Sequence, residues 1–178
     1  MRIAIDISQL AYPNTGVANY LENLVNKLVA NESHEFILFF SSLRGKLPES
    51  IKKLENKKNV TTVLKKIPPS GLHLLWNVVH QVPIEFFVGD IDIFVSSDWT
   101  EAPVRKAIKA TILYDLIVYK YPAETHEKII KVQKKKLAWV KKECDLIFCI
   151  SEATKNDAIK ILGFDQSKLK VIYPGITI

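Results

Sequence analysis

The chain has 178 residues, a formal net charge of +6, and a composition that is 48% hydrophobic and 25% charged. This length suffices for one domain with a buried core, and this composition excludes an intrinsically disordered chain. No apolar run is long enough to span a bilayer and no secretory leader opens the chain, so we expect a cytoplasmic protein.

Strand and helix patterns alternate along the first hundred residues. An alternating strand comes first, and apolar residues at helical spacing from Val17 to Val29 then predict an amphipathic helix. The predicted strands of this half span residues 2–7, 35–41, 59–64 and 90–97. The other predicted helices span residues 48–55 and 72–81, and Pro83 interrupts the second.

The same alternation continues to the end of the chain, with strands predicted at 109–115, at 145–150 and from Lys168. Helices are predicted at 123–143 and 152–162, the second between an N-cap at Ser151 and a stop at Gly163. The pattern predicts an α/β fold of three layers, a Rossmann-like, doubly wound domain with a mostly parallel sheet. Ligands of such sheets bind beyond the carboxyl ends of the strands.

The turn after the first predicted strand is the first candidate binding loop. Asn14, Thr15 and Gly16 lie between a strand and a helix, where backbone amides often bind a phosphate. The dinucleotide fingerprint needs three spaced glycines and an acid after the second strand, and the turn supplies Gly16 alone. The turn therefore either binds a ligand or only lets the chain reverse direction.

Two further loops leave predicted strands with polar side chains. Tyr114 and Asp115 end a buried strand, where a carboxylate either binds hydroxyls and orients a base or only caps a turn. Trp99 stands between Asp98 and Thr100, which together offer an aromatic face and hydroxyl-binding groups suited to a sugar. The alternative is that Trp99 covers the core.

Ser151 begins a predicted helix and is either an anion or hydroxyl site or a simple N-cap. Thr154 stands where a capping box needs Glu or Gln, so the box is incomplete. The four histidines have no zinc-ligand spacing, so no metal is expected. Cys144 and Cys149 flank one strand too far apart to pair, which is typical of buried thiols.

The segment 128–142 holds seven lysines and no acid. Helical spacing places four of them on one outward face: Lys128, Lys131, Lys135 and Lys142. The face is either simply solvated or attracted to an anionic membrane surface. No nucleic-acid partner is expected, because no recognition motif is present and aromatic residues do not interleave with the basic ones.

Four segments together resemble the N-terminal domain of retaining glycosyltransferases of family 4, the group 1 enzymes of the GT-B fold. They are the opening RIAIDISQLAYPNTGVANYLENLV, then DIFVSSDWTEAP, ATILYDLIVYKYPAE and CDLIFCISEATKNDAIKILGFDQSKLKVIYPGI. The last two are fairly specific, and the resemblance covers nearly the whole chain. It implies an acceptor-side domain at residues 1–173 and the start of an interdomain linker at 174–178, with the donor-binding domain outside this sequence.

The resemblance also implies an activity: transfer of a sugar from a nucleotide-diphosphate sugar to an acceptor hydroxyl, with retention. The acceptor would be a sugar or a lipid-linked molecule, and neither a metal nor another cofactor is implied. The implied partner is the C-terminal Rossmann-like domain, without which the fragment is expected to be inactive. The enzyme would be cytoplasmic, with peripheral attachment to the inner face of the cell membrane as a further expectation.

By the same resemblance, Tyr114 and Asp115 are the catalytic pair. The loop near the donor phosphates and acceptor comprises Asn14, Thr15, Gly16 and Asn19. Cleft-binding roles fall to Asp98, Trp99, Thr100, Ser151 and Glu152.

Two positions depart from the family pattern. Many relatives have His where Tyr114 stands and Arg where Asn19 stands. A tyrosine hydroxyl still donates and accepts hydrogen bonds, but it cannot carry a positive charge as imidazole can. An inactive relative, a nonenzymatic module that holds a glycan or a partner domain, is therefore the alternative hypothesis. A nicotinamide-dependent oxidoreductase is excluded by the missing glycines.

Overall fold

The computed structural model describes residues 1–175, so residues 176–178 of the predicted linker lie outside the described residues. The strands are β1 (Arg2–Asp6), β2 (Glu35–Ser41), β3 (Val60–Lys65), β4 (Ile93–Ser96), β5 (Ile108–Leu113), β6 (Leu146–Cys149) and β7 (Leu169–Val171). The α-helices are α1 (Gly16–Leu28), α2 (Glu49–Lys52), α3 (Pro69–Leu72), α4 (Glu85–Val88), α5 (Ile117–Lys120), α6 (Glu127–Glu143) and α7 (Glu152–Leu162). Short 3-10 helices span Ser8–Ala11, Lys53–Asn56, Pro122–Glu124 and Gln166–Lys168.

All seven strands form one parallel sheet in the order β3-β2-β1-β4-β5-β6-β7. The chain builds outward from β1 to β3, returns to the other side of β1 with β4, and then builds outward to β7. The predicted doubly wound α/β fold is therefore confirmed, with a sheet that is parallel throughout.

Alternate residues of β2 face opposite helical layers, as expected of a strand buried on both sides. Phe36 and Leu38 pack in one cluster with Leu21 and Val25 of α1. On the other face, Phe39 lies 5.5 Å from Trp76, measured between ring centroids. A third cluster joins α6 and α7 to β5 and β6.

The helix predicted at 72–81 is present, but most of it is π-helical. After α3 the chain continues as a π-helical segment, His73–Val79, which ends where His80 adopts a left-handed φ of 55°. The backbone N–H of His80 donates to the carbonyl of Leu75, five residues back, at 2.9 Å. The apolar spacing of this segment does not separate a π-helical from an α-helical repeat, so the sequence alone could not show the difference.

The predicted helix at 123–143 starts later than expected, because Pro122–Glu124 forms a 3-10 turn and Thr125 is extended. His126 is the N-cap of α6, and its Nδ1 accepts a hydrogen bond from the Lys128 N–H at 3.2 Å. The four-residue helices α4 and α5 were not predicted, since they are too short to show a periodicity.

Candidate functional site

The carboxyl ends of β1, β4 and β5 meet at one edge of the sheet. The order of the strands reverses between β1 and β4, the position at which open α/β sheets form a ligand crevice. Asp6 ends β1, Ser97 and Asp98 follow β4, and Tyr114 and Asp115 follow β5. A crevice at this edge is lined by Asp6, Ser8, Gln9 and the loop from Ser97 to Thr100.

Asp6 was not among the predicted site residues, although it is a buried carboxylate at the end of the first strand. Its Oδ1 accepts a hydrogen bond from the Ser8 N–H at 2.9 Å. Burial raises the pKa of the Asp6 carboxyl, and the Ser8 hydrogen bonds and the Lys136 charge oppose that rise only in part. The signal in the sequence was an acid that ends a strand of otherwise apolar pattern.

We therefore expect Asp6→Asn to raise the free energy of unfolding at pH 7, by about 1 kcal/mol. A raised carboxyl pKa means that the folded state binds more protons than the unfolded state, so stability falls as the pH rises through the folded value. The advantage of Asp6→Asn should be full above the raised pKa and should vanish below pH 3.8, the ordinary value. Urea denaturation of both proteins from pH 3 to pH 8 measures this; a variant that is less stable at pH 7 would contradict it.

The loop after β4 is fixed by side chains from two helical segments. Asn77 of the π-helical segment donates to the Trp99 carbonyl at 2.9 Å and accepts from the Glu101 N–H at 2.9 Å. Gln133 of α6 donates to both the carbonyl and Oδ1 of Asp98, each at 3.2 Å. The loop that carries Asp98, Trp99 and the buried Thr100 is thus held in one arrangement before any ligand arrives.

Tyr114 is buried at the base of the site. Its hydroxyl lies 3.2 Å from the Ser97 hydroxyl, and its ring meets the Tyr20 ring edge-on, with centroids 5.6 Å apart. Burial raises the pKa of the Tyr114 hydroxyl, so this group stays neutral across the physiological range. Tyr114 can donate or accept a hydrogen bond here, but it supplies no charge.

Asp115, by contrast, is exposed, and its Oδ1 accepts a hydrogen bond from the Ile117 N–H at 3.0 Å. The turn-capping role that the sequence allowed is therefore present. The remaining acceptor capacity of the carboxylate is available to a ligand.

Tyr114 and Asp115 form a wall shared by two cavities. One, of about 200 Å³, is also lined by Asp98, Trp99 and Lys136. The other is an open groove of about 990 Å³ lined by Gly16, Asn19 and Tyr20 of α1 and by the chain after β7. The structure thus places Gly16, Asn19 and Asp115 along one groove.

The glycine turn has an unexpected left-handed residue. Asn14, not Gly16, adopts a positive φ, of 66°. Thr15 is the N-cap of α1, and its hydroxyl accepts from the Ala18 N–H at 3.2 Å. A Cβ built on Gly16 would meet no atom within 4 Å, so neither backbone conformation nor internal packing requires glycine there. The surface at Gly16 is open to close approach from outside.

Ser151 acts as the N-cap of α7, with its hydroxyl accepting from the Thr154 N–H at 3.1 Å. Its neighbour Ile150 lines the open groove, whereas Ser151 and the exposed Glu152 are not among the residues that line it. Thr154 was not predicted as a site residue. Its buried hydroxyl donates to the Tyr114 carbonyl at 3.1 Å and so ties α7 to the site.

The four lysines of the predicted basic face of α6 are exposed. Lys131 pairs with Glu127 at 3.5 Å, and the Lys142 ammonium lies 4.7 Å from the centroid of the Trp139 ring. Lys136, one residue from Lys135, is buried instead. Lys136 is four residues before Val140, on the apolar side of the helix, which is the sequence signal for its burial.

The part of the chain that the structure describes includes no helix with the length and apolarity that a membrane crossing requires. Over residues 1–175, no three His, Cys, Asp or Glu side chains come together in an arrangement that could hold a metal ion.

Comparison with known proteins identifies the family. The model of Glycosyltransferase Family 4 matches residues 14–178, which include every predicted site residue. No curated protein matches the chain. Since the match spans most of the sequence and the fold is the parallel α/β sheet that the resemblance implied, the chain belongs to glycosyltransferase family 4.

Proposed function

We propose that this domain binds the acceptor for an enzyme that transfers a sugar from a nucleotide-diphosphate sugar to a hydroxyl group, with retention of anomeric configuration. The observation that carries the proposal is the shared wall of Tyr114 and Asp115, which faces both the Asp98–Trp99 cavity and the open groove. Two carboxylates and the Trp99 side chain line that cavity, beside the switch point of a family 4 domain.

Each group has a role that its surroundings permit. The exposed Asp115 carboxylate accepts a hydrogen bond from the reacting or a neighbouring hydroxyl. Trp99 offers its ring to an apolar face of the sugar, while Asp98 accepts hydrogen bonds from hydroxyls. The neutral Tyr114 hydroxyl, already close to Ser97, orients the ligand and does not transfer a proton.

The leaving diphosphate requires positive charge or oriented dipoles. The start of α1 at Gly16 offers an open N-terminal turn toward the groove. We propose that a second, facing domain supplies the nucleotide site and the remaining positive charge. The loop of Asn14, Thr15, Gly16 and Asn19 would then contact the diphosphate from this side.

The proposal is tested with the full-length protein and a panel of nucleotide-diphosphate sugars and sugar acceptors, with NMR of the product to assign the anomeric configuration. A retained configuration supports the proposal. Hydrolysis without transfer, or an inverted product, contradicts it.

The 178-residue chain alone is expected to transfer no sugar, because on this proposal the nucleotide is held by the facing domain. The measurement is product formation by the purified chain, and addition of the separately expressed second domain is the control. Mutation of Asp115 tests whether a contaminating enzyme causes any activity. Sugar transfer by the chain alone that this mutation abolishes would contradict the proposal that the facing domain holds the nucleotide.

A nonenzymatic binding module remains the second candidate, and one observation favours it. The position where many relatives have His holds a neutral tyrosine whose hydroxyl already has Ser97 as a partner. Binding of a glycan with no transfer by the full-length protein would support this alternative.

We further propose that the basic face of α6 attracts the domain to anionic membranes. Each lysine close to such a surface contributes about 1 kcal/mol. The triple variant Lys128→Gln, Lys131→Gln, Lys135→Gln should lose binding to phosphatidylserine vesicles. Binding by the unmodified protein should weaken as salt shortens the screening length to about 8 Å.

The matched control replaces three exposed lysines outside α6, Lys46, Lys53 and Lys58, with glutamine, which changes the net charge equally. Co-sedimentation with anionic and neutral vesicles distinguishes a dedicated basic face on α6 from a general effect of net charge. Equal loss in both triple variants would show a general charge effect and contradict a dedicated face.

A further inference from the structure

A lysine lies buried beneath the candidate site. Lys136 is 2% exposed, and its ammonium donates a hydrogen bond to the carbonyl of Ser97. It lines the cavity of about 200 Å³ that Asp98 and Asp115 also line. Lysine is rarely buried without an ion pair, and none of the ion pairs found within residues 1–175 includes Lys136. Its hydrogen bond to Ser97 and its charge interactions with Asp6 and Asp98 stand in place of a direct ion pair.

Lys136 and Gln133 lie three residues apart on α6 and contact consecutive residues of the loop after β4. Lys136 holds the carbonyl of Ser97, while Gln133 donates to the carbonyl and to Oδ1 of Asp98, at 3.2 Å each. Residues three apart on a helix share one face, so a single turn of α6 fixes both the backbone and the carboxylate of Asp98.

Three carboxylates near this turn of α6 lie at the carboxyl ends of strands: Asp6 at β1, Asp98 after β4 and Asp115 after β5. The Lys136 charge lowers the pKa of both Asp98 and Asp6, whereas the Asp115 charge raises the pKa of Asp98. Burial raises the pKa of Asp98, and the Lys136 charge and the Gln133 hydrogen bond oppose that rise. The Tyr114 hydroxyl, close to Ser97, is neutral. The Glu101 charge raises the pKa of Asp6, and the Glu101 carboxylate accepts a hydrogen bond from the Ser96 hydroxyl at 2.6 Å. Lys136 is therefore the positive charge that Asp6 and Asp98 share.

We propose that Lys136 is a positioning residue which, together with Gln133, holds the Asp98 carboxylate directed into the crevice, where it accepts hydrogen bonds from acceptor hydroxyls. The identity of the ligand rests on the proposed function. The arrangement of Lys136, Gln133 and Asp98 does not, and it can be tested without any substrate.

The test is an NMR titration of the Asp98 carboxyl in the 178-residue chain, labelled with ¹³C at aspartate. Lys136→Met removes the charge and keeps most of the side-chain volume, and Lys136→Arg keeps the charge. We expect the Asp98 midpoint to rise in Lys136→Met and to stay close to the unmodified value in Lys136→Arg. The control is Asp165, whose pKa is lowered by hydrogen bonds from Ser167 and which should not respond.

Gln133→Leu is the second variant, and it leaves the buried lysine intact. It should also raise the Asp98 midpoint, and it should speed hydrogen exchange of the Glu101 amide, which donates to Asn77 Oδ1 at 2.9 Å, by about tenfold as the loop loosens. An unchanged Asp98 midpoint in either Lys136→Met or Gln133→Leu would overturn the proposal. So would a Lys136→Arg variant that behaves like Lys136→Met.

Activity of the full-length enzyme provides a separate readout. Lys136→Met should raise the acceptor KM about tenfold with a smaller effect on kcat, because a ground-state hydrogen bond is lost. In an Asp98→Asn background, Lys136→Met should have no further effect on KM; an additive effect would show that Lys136 acts elsewhere. If the unmodified full-length protein also transfers no sugar, the proposed function is refuted, but the titration result still stands.

Discussion

Replacing Lys109 with alanine is expected to lower the free energy of unfolding by about 3–5 kcal/mol, the usual effect of removing one partner of a buried ion pair. Lys109 is 1% exposed, and its ammonium lies 2.8 Å from Glu143 Oε2 and 3.5 Å from Glu101 Oε1. Glu101 is fully buried, so the variant would leave a carboxylate in the core without its cation.

The other hydrogen-bond donors to Glu101 cannot replace the positive charge of Lys109. Its two oxygens accept from the Ser96 hydroxyl at 2.6 Å and from the Cys144 thiol at 3.5 Å, which are uncharged donors. Burial alone would raise the pKa of Glu143, but hydrogen bonds from Lys109 and His80 hold it below its ordinary value. Loss of Lys109 thus removes the cation that contacts two carboxylates, Glu101 and Glu143.

Urea denaturation followed by circular dichroism measures the effect. The double variant Lys109→Ala, Glu101→Gln should recover much of the loss, because the uncompensated charge is gone. Lys131→Ala, which breaks an exposed pair with Glu127, is the matched control and should leave the denaturation midpoint unchanged. A loss for Lys109→Ala below about 1 kcal/mol would contradict a stabilising role of the Lys109–Glu101 pair.

The second large effect concerns activity. Asp115→Asn is expected to lower sugar transfer by the full-length enzyme at least tenfold, or about 1.4 kcal/mol of transition-state stabilisation. Stability should hardly change, because Asp115 is exposed and asparagine keeps the oxygen that accepts from the Ile117 N–H. Activity would fall because the side chain loses its charge at the shared wall of the two cavities.

Asp92→Asn is the control for Asp115→Asn. Asp92 is also exposed, and its Oδ2 accepts a backbone hydrogen bond, from the Arg2 N–H at 2.7 Å. It precedes β4, whereas Asp115 follows β5, so the two carboxylates lie at opposite edges of the sheet. Equal activity of both variants, or an unfolding midpoint that drops only in Asp115→Asn, would contradict a role in transfer.

The order of strands and helices could be predicted from the sequence because apolar runs and periodic stripes are local signals. The run Glu35–Ser41 matches β2 at both ends. The ends of strands were harder to predict. β4 starts at Ile93, and the residue before it, Asp92, accepts a hydrogen bond from the backbone N–H of Arg2 in β1. Arg2 is 90 positions away in the sequence, so no local pattern shows this contact. The family resemblance is confirmed by the match over residues 14–178.

The candidate site could be predicted only where polar residues follow a strand directly. Asp98 and Tyr114 were found in this way. Lys136 and Gln133 were not, because the spacing that marks Lys136 as buried does not show which loop a side chain of this helix contacts. Asn77 was missed for a similar reason: its two hydrogen bonds to that loop span 22 and 24 residues. The roles of the predicted site residues stay predictions.

The central position of β1 has a consequence for how the chain reaches its native state. Its neighbour on one side, β2, follows after a single α-helix, but on the other side Ile3 pairs with Ile93 of β4. Closing so long a loop costs chain entropy before any contact repays it, which is the reason that parallel sheets with distant pairings fold slowly. During synthesis, the apolar edge of β1 stays unpaired until residues 93–95 have left the ribosome. An unpaired strand edge is a template for aggregation, so the nascent chain carries this liability until β4 pairs.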